Sequence, residues 1–371
     1  MDNHQCLKFD AAGNCARHIC RSFNVGNVTI GGTAPVSIQS MTNTDTRDRA
    51  ATLDQIRSLA SLGCEIIRVA VPDKAAVQAL SGITAKSPLP VIADIHFDYR
   101  LALAALESGI AGLRINPGTM RSAEHRGEVA AASAASGIPV RIGINSGSLE
   151  DDILDSYGGC TSEALVASAL RHCRFFEECG CSKIKVSLKS SKVTTTVAAC
   201  RAFAARTDYP LHLGITEAGT LQTGTLKSAA GIGCLLLEGI GDTIRVSLTA
   251  PPEQEVVVAQ KLLEAVGLRE PNPEIVACPT CGRTEIDLFP IVEAVEKEVQ
   301  SLKHSGHKFQ IRKIAIMGCV VNGPGEARDA DLGIAGGKNS GVLFKKGQVV
   351  SRLPESELQD ALIKEIRKYI D

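Results

Sequence analysis

The sequence predicts a (β/α)8 barrel followed by a smaller α+β domain, and three observations carry that reading. The chain has 371 residues, about two and a half times the usual ~150-residue domain, so one large and one small domain are expected. From residue 36 to about 265 one grammar repeats eight times, a short β-rich run ending in polar residues and then an Ala/Leu-rich helical stretch. The polar residues gather at the C-terminal ends of those runs, which is where barrels of this class build their sites.

Composition narrows the function classes. Hydrophobic residues make up 44% and charged residues 22%, which supports a packed core and excludes a largely disordered chain. Forty Lys+Arg against 41 Asp+Glu leave a formal charge of -1. No bulk attraction to nucleic acid or membrane surface follows, so any cationic site must be local. Eighteen apolar residues never run uninterrupted, and the N-terminal MDNHQCLKFDAAGNCARHICR lacks a signal-peptide core. A cytoplasmic protein is expected. Thirteen cysteines are an odd count in a chain large enough to fold without staples. Cys64, Cys173, Cys200 and Cys234 read as small buried hydrophobes, while Cys6, Cys15 and Cys20 crowd a polar tail without a metal-binding spacing.

The eight strands run in order. Val36–Met41 is the first, and Ile66–Val71 follows with Arg68 near its end. Val91–His96 carries Asp94 and His96, and Gly112–Asn116 carries Arg114 and Asn116. Val140–Asn145 carries Arg141 and Asn145, and Lys183–Leu188 carries Lys185 and Ser187 with Lys189 just beyond. Leu211–Thr216 brings His212, Thr216 and then Glu217, and Thr243–Leu248 brings Arg245 and Ser247. Asp94/His96, Arg114/Asn116 and Arg245/Ser247 share parity, so each pair faces one side of its strand, read as the lumen. Helices such as Leu53–Leu62, Leu101–Ser108, Ser162–Glu178 and Glu253–Val266 follow the strands. A doubly wound open sheet shares this alternation, but the Gly-rich dinucleotide fingerprint is missing after the first strand.

After Val266 the segment GLREPNPE reads as a linker. Beyond it are expected a helix Phe289–Leu302, an apolar strand Lys313–Val321, Gly-rich strands around Leu332–Gly337 and Gly341–Val350, and a closing helix Glu355–Ile370. The chain thus divides into a tail 1–24, a barrel 25–266 and an α+β domain 267–371.

Two constellations carry chemistry. Cys278-Pro-Thr-Cys281 is followed 38 residues on by Cys319 within GCVVNGPGEA. Three thiolates among Gly and Pro suit an iron–sulfur cluster, because glycine lets backbone N–H groups approach the sulfurs. A structural zinc would need a fourth ligand such as His304 or His307. A redox dithiol would leave Cys319 without a role. A cluster with three Cys ligands has one iron free, and Glu326 is a natural occupant. The second constellation is cationic: Arg68, Arg114, Arg141, Lys189 and Arg245 come from five strands of one lumen. Either Asp94 and Glu217 neutralise some of them, or an anionic substrate with two phosphates answers them. The loop Ala218–Thr225 can add helix N-terminal amides. Asp94-x-His96 has the look of a divalent-metal pair, although cations beside it oppose a metal. Glu217 reads either as an ion-pair partner or as a general acid that protonates a departing hydroxyl.

The runs SMTNTDT (40–46), ADIHFDYR (93–100), LRINPG (113–118), RIGINSGSLE (141–150), LHLGITEAG (211–219), EGIGDTIRVSL (238–248), ACPTCGRTEID (277–287) and GCVVNGPGEA (318–327) resemble one family. It is the bacterial 4-hydroxy-3-methylbut-2-enyl diphosphate synthases of the non-mevalonate isoprenoid pathway. The resemblance extends from about residue 24 to the end and leaves out the N-terminal tail. It implies a (β/α)8 barrel joined to a [4Fe-4S] domain, the cluster held by Cys278, Cys281, Cys319 and Glu326. It implies 2-C-methyl-D-erythritol 2,4-cyclodiphosphate as substrate and two electrons delivered singly from ferredoxin or flavodoxin. Positions matching substrate binding are Arg68, Asp94, His96, Arg114, Asn116, Arg141, Asn145, Lys189, Arg245 and Ser247, with Glu217 giving a proton. A homodimer is also implied, the cluster domain of one chain capping the barrel of its partner.

Two other classes stand beside this one. A zinc-stabilised barrel hydrolase or lyase acting on a phosphorylated sugar would be colourless, and an iron–sulfur redox sensor would have no use for five lumen cations. Metal analysis with an absorbance spectrum separates all three.

Overall fold

The computed structural model describes residues 16–270, 273–319 and 328–371. The chain divides between Arg269 and Glu270 into two compact units.

The first unit opens with a hairpin, β1 (Phe23–Val25) and β2 (Val28–Ile30). Its apolar side chains Phe23, Val25 and Ile30 pack on Ile66 and Ile92. Those two share strand parity with Arg68 and Asp94, so the hairpin plugs the lumen at its N-terminal end. The barrel strands are β3 (Ser37–Met41), β4 (Ile66–Ala70), β5 (Val91–Ile95), β6 (Gly112–Ile115), β7 (Val140–Asn145), β8 (Ile184–Lys189), β9 (His212–Leu213) and β10 (Thr243–Ile244). They are parallel in the order β8-β7-β6-β5-β4-β3-β10-β9. A parallel bridge between Val186 and Leu211 joins the two ends. That bridge closes the cylinder and removes the open-sheet alternative, because a doubly wound sheet keeps two free edges.

Around the strands lie α1 (Arg49–Ser61), α2 (Lys74–Thr84), α3 (Tyr99–Leu106), α4 (Ala123–Ser136), α5 (Asp151–Tyr157), α6 (Ser162–Glu178), α7 (Val193–Ala204), α8 (Leu221–Ser228), α9 (Cys234–Leu237) and α10 (Pro252–Ala265). Side-chain caps start several of them: Asp48, Asp73, Ser122 and Thr161 each accept from a backbone N–H three residues on. Strand residues such as Val69, Ala93, Leu113 and Ile142 point outward onto these helices and form one continuous core. No helix among the described residues is long and apolar enough to cross a membrane.

Three expectations change here. The seventh and eighth strands are far shorter than 211–216 and 243–248. Past Leu213 the chain passes Gly214, where a Cβ would stand 2.5 Å from Lys189 Nζ and 2.7 Å from the Arg245 carbonyl. Only a bare backbone fits in that crowded lumen. Arg245 still donates its N–H to Leu213 O at 3.0 Å. Residues 16–24, expected as part of a tail over 1–24, are instead built into the first unit. From residue 16 the chain is strapped to the barrel: His18 N donates to Gly239 O, Arg21 N to Asp208 O, and Arg17 pairs with Asp242 at 2.8 Å. Cys20 is buried there with its thiol 3.2 Å from Asp242 Oδ1, and burial and that carboxylate push it up to about 12. Cys6 and Cys15 lie outside the described residues. Of the cysteines read as buried hydrophobes, Cys64, Cys173 and Cys200 are buried, whereas Cys234 is half-buried beside Arg201 and Glu238.

The second unit is a five-stranded sheet in the order β11 (Glu274–Ala277), β12 (Lys313–Met317), β13 (Leu332–Gly337), β14 (Ser340–Lys345) and β15 (Gln348–Pro354). The first three are parallel and the last two antiparallel. Helices α11 (Leu288–His304) and α12 (Glu355–Ile366) lay Ile291, Val295, Val299, Leu358, Leu362 and Ile366 on the sheet residues Ile314, Ile316, Leu332 and Ile334. The expected strand Gly341–Val350 is instead a hairpin. Lys346 and Gly347 both have positive φ, 47° and 76°, as a two-residue turn between twisted strands requires. β11 was not expected, and Val320–Val321, within the expected strand 313–321, fall outside the described residues.

Candidate active site

At the C-terminal end of the barrel a cavity of about 80 Å3 is lined by Arg68, Arg114, Arg141, Asn145, Ser187, Lys189, Thr216, Arg245 and Ser247. Strand parity brings them together: Arg114 pairs in register with Arg141, and Asn145 with Lys189. Gly143 makes room for one of them, since a Cβ there would lie 2.9 Å from Arg114 Nε.

Two carboxylates answer part of this charge. Asp94 Oδ1 accepts from Arg114 Nη1 at 2.8 Å, and its Oδ2 lies 3.6 Å from Arg68 Nε. Burial raises the Asp94 carboxyl, but Arg68 and Arg114 outweigh it and hold the group well below the usual carboxylate range. Arg245 pairs with Glu255 at 3.2 Å. Arg68 and Arg245 both lean on the Met41 sulfur. Arg141 and Lys189 make no ion pair among the described residues, and Arg141 Nε and Nη1 have no hydrogen-bond partner. Burial and neighbouring cations disfavour the charged form of both. A guanidinium stays protonated in a protein, so its unanswered charge is a standing cost that an incoming anion offsets.

His96 borders this cluster. Its Nε2 stands 2.6 Å from Arg114 Nη1 and 3.5 Å from Asp94 Oδ1. Burial, then Arg114, lower its pKa, so a neutral ring accepting from Arg114 fits the geometry. Asn116 does not line the cavity. It donates to Ser148 Oγ at 2.8 Å and accepts from Gly118 N at 3.1 Å, which organises the loop after β6. Glu217 is exposed at the mouth with φ of 51°, a left-handed backbone uncommon outside glycine and concentrated at functional sites. It makes no hydrogen bond or ion pair among the described residues, so the ion-pair reading does not hold there. Phe97 has a similar φ of 56° and is 74% exposed at the same end of the barrel.

In the second unit, β11 and β12 pair in parallel with Ala277 opposite Ile316. Cys278 and Cys319 therefore leave adjacent strands at the same end. Gly318 N donates to Cys278 Sγ at 3.2 Å, and Glu285 N to Gly318 O at 2.9 Å. A side chain on Gly318 would strike Thr284. The exposed Cys281 thiol is held below its ordinary value first by the Arg283 backbone N–H and also by the Arg283 charge. Among the described residues no three potential ligands stand close enough to hold a metal ion, and Glu326 lies outside them. The donor set is nonetheless thiol-rich, and one sulfur already accepts a backbone N–H, as cluster ligands do.

Residues 20–260 match the GcpE TIM-barrel domain and residues 274–368 the GcpE protein C-terminal domain. The chain belongs to the GcpE family. Similar GcpE-family proteins are named 4-hydroxy-3-methylbut-2-en-1-yl diphosphate synthase (flavodoxin). The one from Geobacter sulfurreducens is 55% identical over 94% of this chain and 98% of its own length. That from Lawsonia intracellularis is 53% identical over 94% and 96%, and that from Desulfotalea psychrophila 50% over 95% and 96%.

Several residues of this site were not assigned to binding from the sequence. Ser187 and Thr216 line the cavity; they were placed at strand ends but left out of the binding set, although their parity with Lys189 and His212 was a usable signal. Glu255 had a weaker one, its place in the first turn of the helix after strand eight. Met41 had none, since an apolar residue at a strand end reads as core.

Proposed function

We propose that this chain carries out the reductive ring opening and dehydration of 2-C-methyl-D-erythritol 2,4-cyclodiphosphate, giving 4-hydroxy-3-methylbut-2-enyl diphosphate. The observation that carries the reading is the lumen itself. Five cations from five strands face two carboxylates, and Arg141 and Lys189 are left for an anion. The cavity is small beside the ~300–1,000 Å3 of drug-sized pockets, so it suits the phosphates, with the carbon skeleton held at the mouth.

Cys278, Cys281, Cys319 and Glu326 would hold the [4Fe-4S] cluster. When bound, it supplies single electrons and a Lewis-acidic iron. The remaining work falls to the barrel. Arg68, Arg114, Arg141, Lys189 and Arg245 bind the two phosphates, with Asn145 and Ser247 as neutral donors. Fixed cations then stabilise the charge that grows on the phosphate oxygen as its bond to carbon breaks. Asp94 and His96 orient the Arg68/Arg114 pair, and Asn116 shapes the loop beside them. Glu217, at the mouth and without a partner among the described residues, holds the proton that lets the hydroxyl depart as water.

Flavodoxin, named in the relatives, is the expected electron donor, with ferredoxin as the alternative. The working unit is a cytoplasmic homodimer in which each cluster domain serves its partner's barrel. The test is anaerobic turnover of the cyclodiphosphate with reduced flavodoxin, followed by phosphorus NMR. Conversion of the cyclic diphosphate signals to those of a linear diphosphate is expected. Iron-replete protein that binds the substrate yet leaves it unchanged would sink the proposal.

A further inference from the structure

Beneath the residues that line the cavity, the lumen holds a second polar tier. Gln39 of β3, Lys185 of β8 and His212 of β9 share strand parity with Met41, Lys189 and Thr216, and all three are buried. Both amide atoms of Gln39, Lys185 Nζ and His212 Nε2 have no hydrogen-bond partner among the described residues. His212 uses its other nitrogen, Nδ1, on Thr243 Oγ1 at 2.8 Å. Buried polar groups are rarely left this way unless something else answers them.

The charges around Lys185 explain why it stands alone. Arg141 pairs with it in register from β7, Arg68 faces it from β4, Lys189 lies further up its own strand, and His212 approaches from β9. The hairpin plug and Gln39 bring no charge. Among the described residues the carboxylate that acts on it is Asp242, and it is committed elsewhere, to Arg17 at 2.8 Å, Cys20 Sγ at 3.2 Å and Leu211 N at 2.8 Å. Burial, then Arg141, therefore push the Lys185 ammonium down to about 7, against Asp242. The arginines cannot shed a proton at that pH, whereas a buried lysine can.

We propose that Lys185 is the proton-accepting floor of the phosphate site, taking one proton from solution when an anionic substrate enters the lumen. This rests on the reading of the lumen as a phosphate site. The anion supplies the negative charge that the tier lacks and restores the ammonium form. Binding then takes up protons above pH 7 and takes up none well below it, where Lys185 is already charged. Affinity accordingly falls as pH rises from 7.

Calorimetry decides it. The cyclodiphosphate is titrated into the anaerobic holoenzyme at pH 7.5 in buffers of different ionisation enthalpy, and the slope of observed heat against that enthalpy counts protons. The wild type should take up a substantial part of a proton per site, because a group titrating near 7 is largely unprotonated at pH 7.5. Lys185→Met should still bind but take up none; uptake kept in that variant would move the acceptor to Lys189, the other buried lysine whose charged form is disfavoured. Buffer-independent heats in the wild type, or uptake that survives Lys185→Met, would overturn the proposal. Should Lys185→Met fail to fold, the wild type suffices, because an affinity constant from pH 6 to 9 overturns it equally. Absence of any binding heat together with absence of turnover would instead refute the phosphate-site reading beneath it.

Discussion

Glu255, in the first turn of α10, holds Arg245 at the end of the eighth barrel strand, Nη2 to Oε2 at 3.2 Å, while its Oε1 accepts from Leu248 N at 3.0 Å. One carboxylate thus fixes both a cationic side chain and the backbone that carries it. Glu255→Gln should destabilise the barrel by about 2–3 kcal/mol, below the usual ~3–5 for a broken buried pair because Arg245 keeps some solvent access. It should also raise KM for substrate. Chemical denaturation followed with a barrel-specific probe checks the first effect, and an unchanged midpoint would remove Glu255 from this role.

Lys189 makes the opposite case, a buried lysine with no ion-pair partner among the described residues. Lys189→Met should raise the thermal midpoint of the substrate-free protein, since removing an uncompensated buried charge relieves desolvation. The same change should weaken substrate binding by about 1–3 kcal/mol, the scale of a charged hydrogen bond. Arg141→Ala should weaken binding similarly. Calorimetry and a melting curve on one preparation test both signs, and unaltered affinity in both variants would count against the lumen as the phosphate site.

Asp94 links the site to acid stability. Its carboxyl is depressed in the folded chain, so its contribution is fully present above the unfolded value near pH 4 and is lost as pH falls toward the folded one. The stability gap between wild type and Asp94→Asn should be constant from about pH 5 to 7 and shrink below about pH 4. Denaturation at a series of pH values measures it, and a gap that grows with acid would be the wrong sign.

Glu217→Gln should leave substrate affinity within a few-fold and cut kcat by about 10²–10⁴, the range for losing a general acid. A matching rise in KM with kcat unaffected would make it a binding residue instead.

Replacing Cys319 by Ser should remove most bound iron while the barrel stays folded. Mixing that variant with Glu217→Gln under subunit exchange should restore about a quarter of wild-type activity, since about half the dimers are mixed and each regains one of two sites. No recovery despite proven exchange would place each site within one chain.

Local periodicity explains which of these features were legible in the sequence. A strand puts residues i and i+2 on one face, so Arg114 with Asn116 and Arg245 with Ser247 could be assigned to the lumen from parity. Parity does not say which lumen residue reaches the cavity, and Asn116 turns instead to Ser148. Lys346-Gly347 is a short turn that a longer β-rich run concealed.

The sequence by itself determined the eightfold alternation, the inward set of cations and the thiol-bearing second unit, because each depends on residue type and on spacing within a few positions. Only the tertiary structure decided that Val186 meets Leu211 to close the barrel, that Glu255 answers Arg245, that residues 23–30 plug the lumen and that Lys185 has no hydrogen-bond partner among the described residues beneath the cationic cavity. Those outcomes depend on which side chains, distant in the chain, compete for one small volume. Burial sets their electrostatic cost, and burial belongs to the whole fold rather than to any segment.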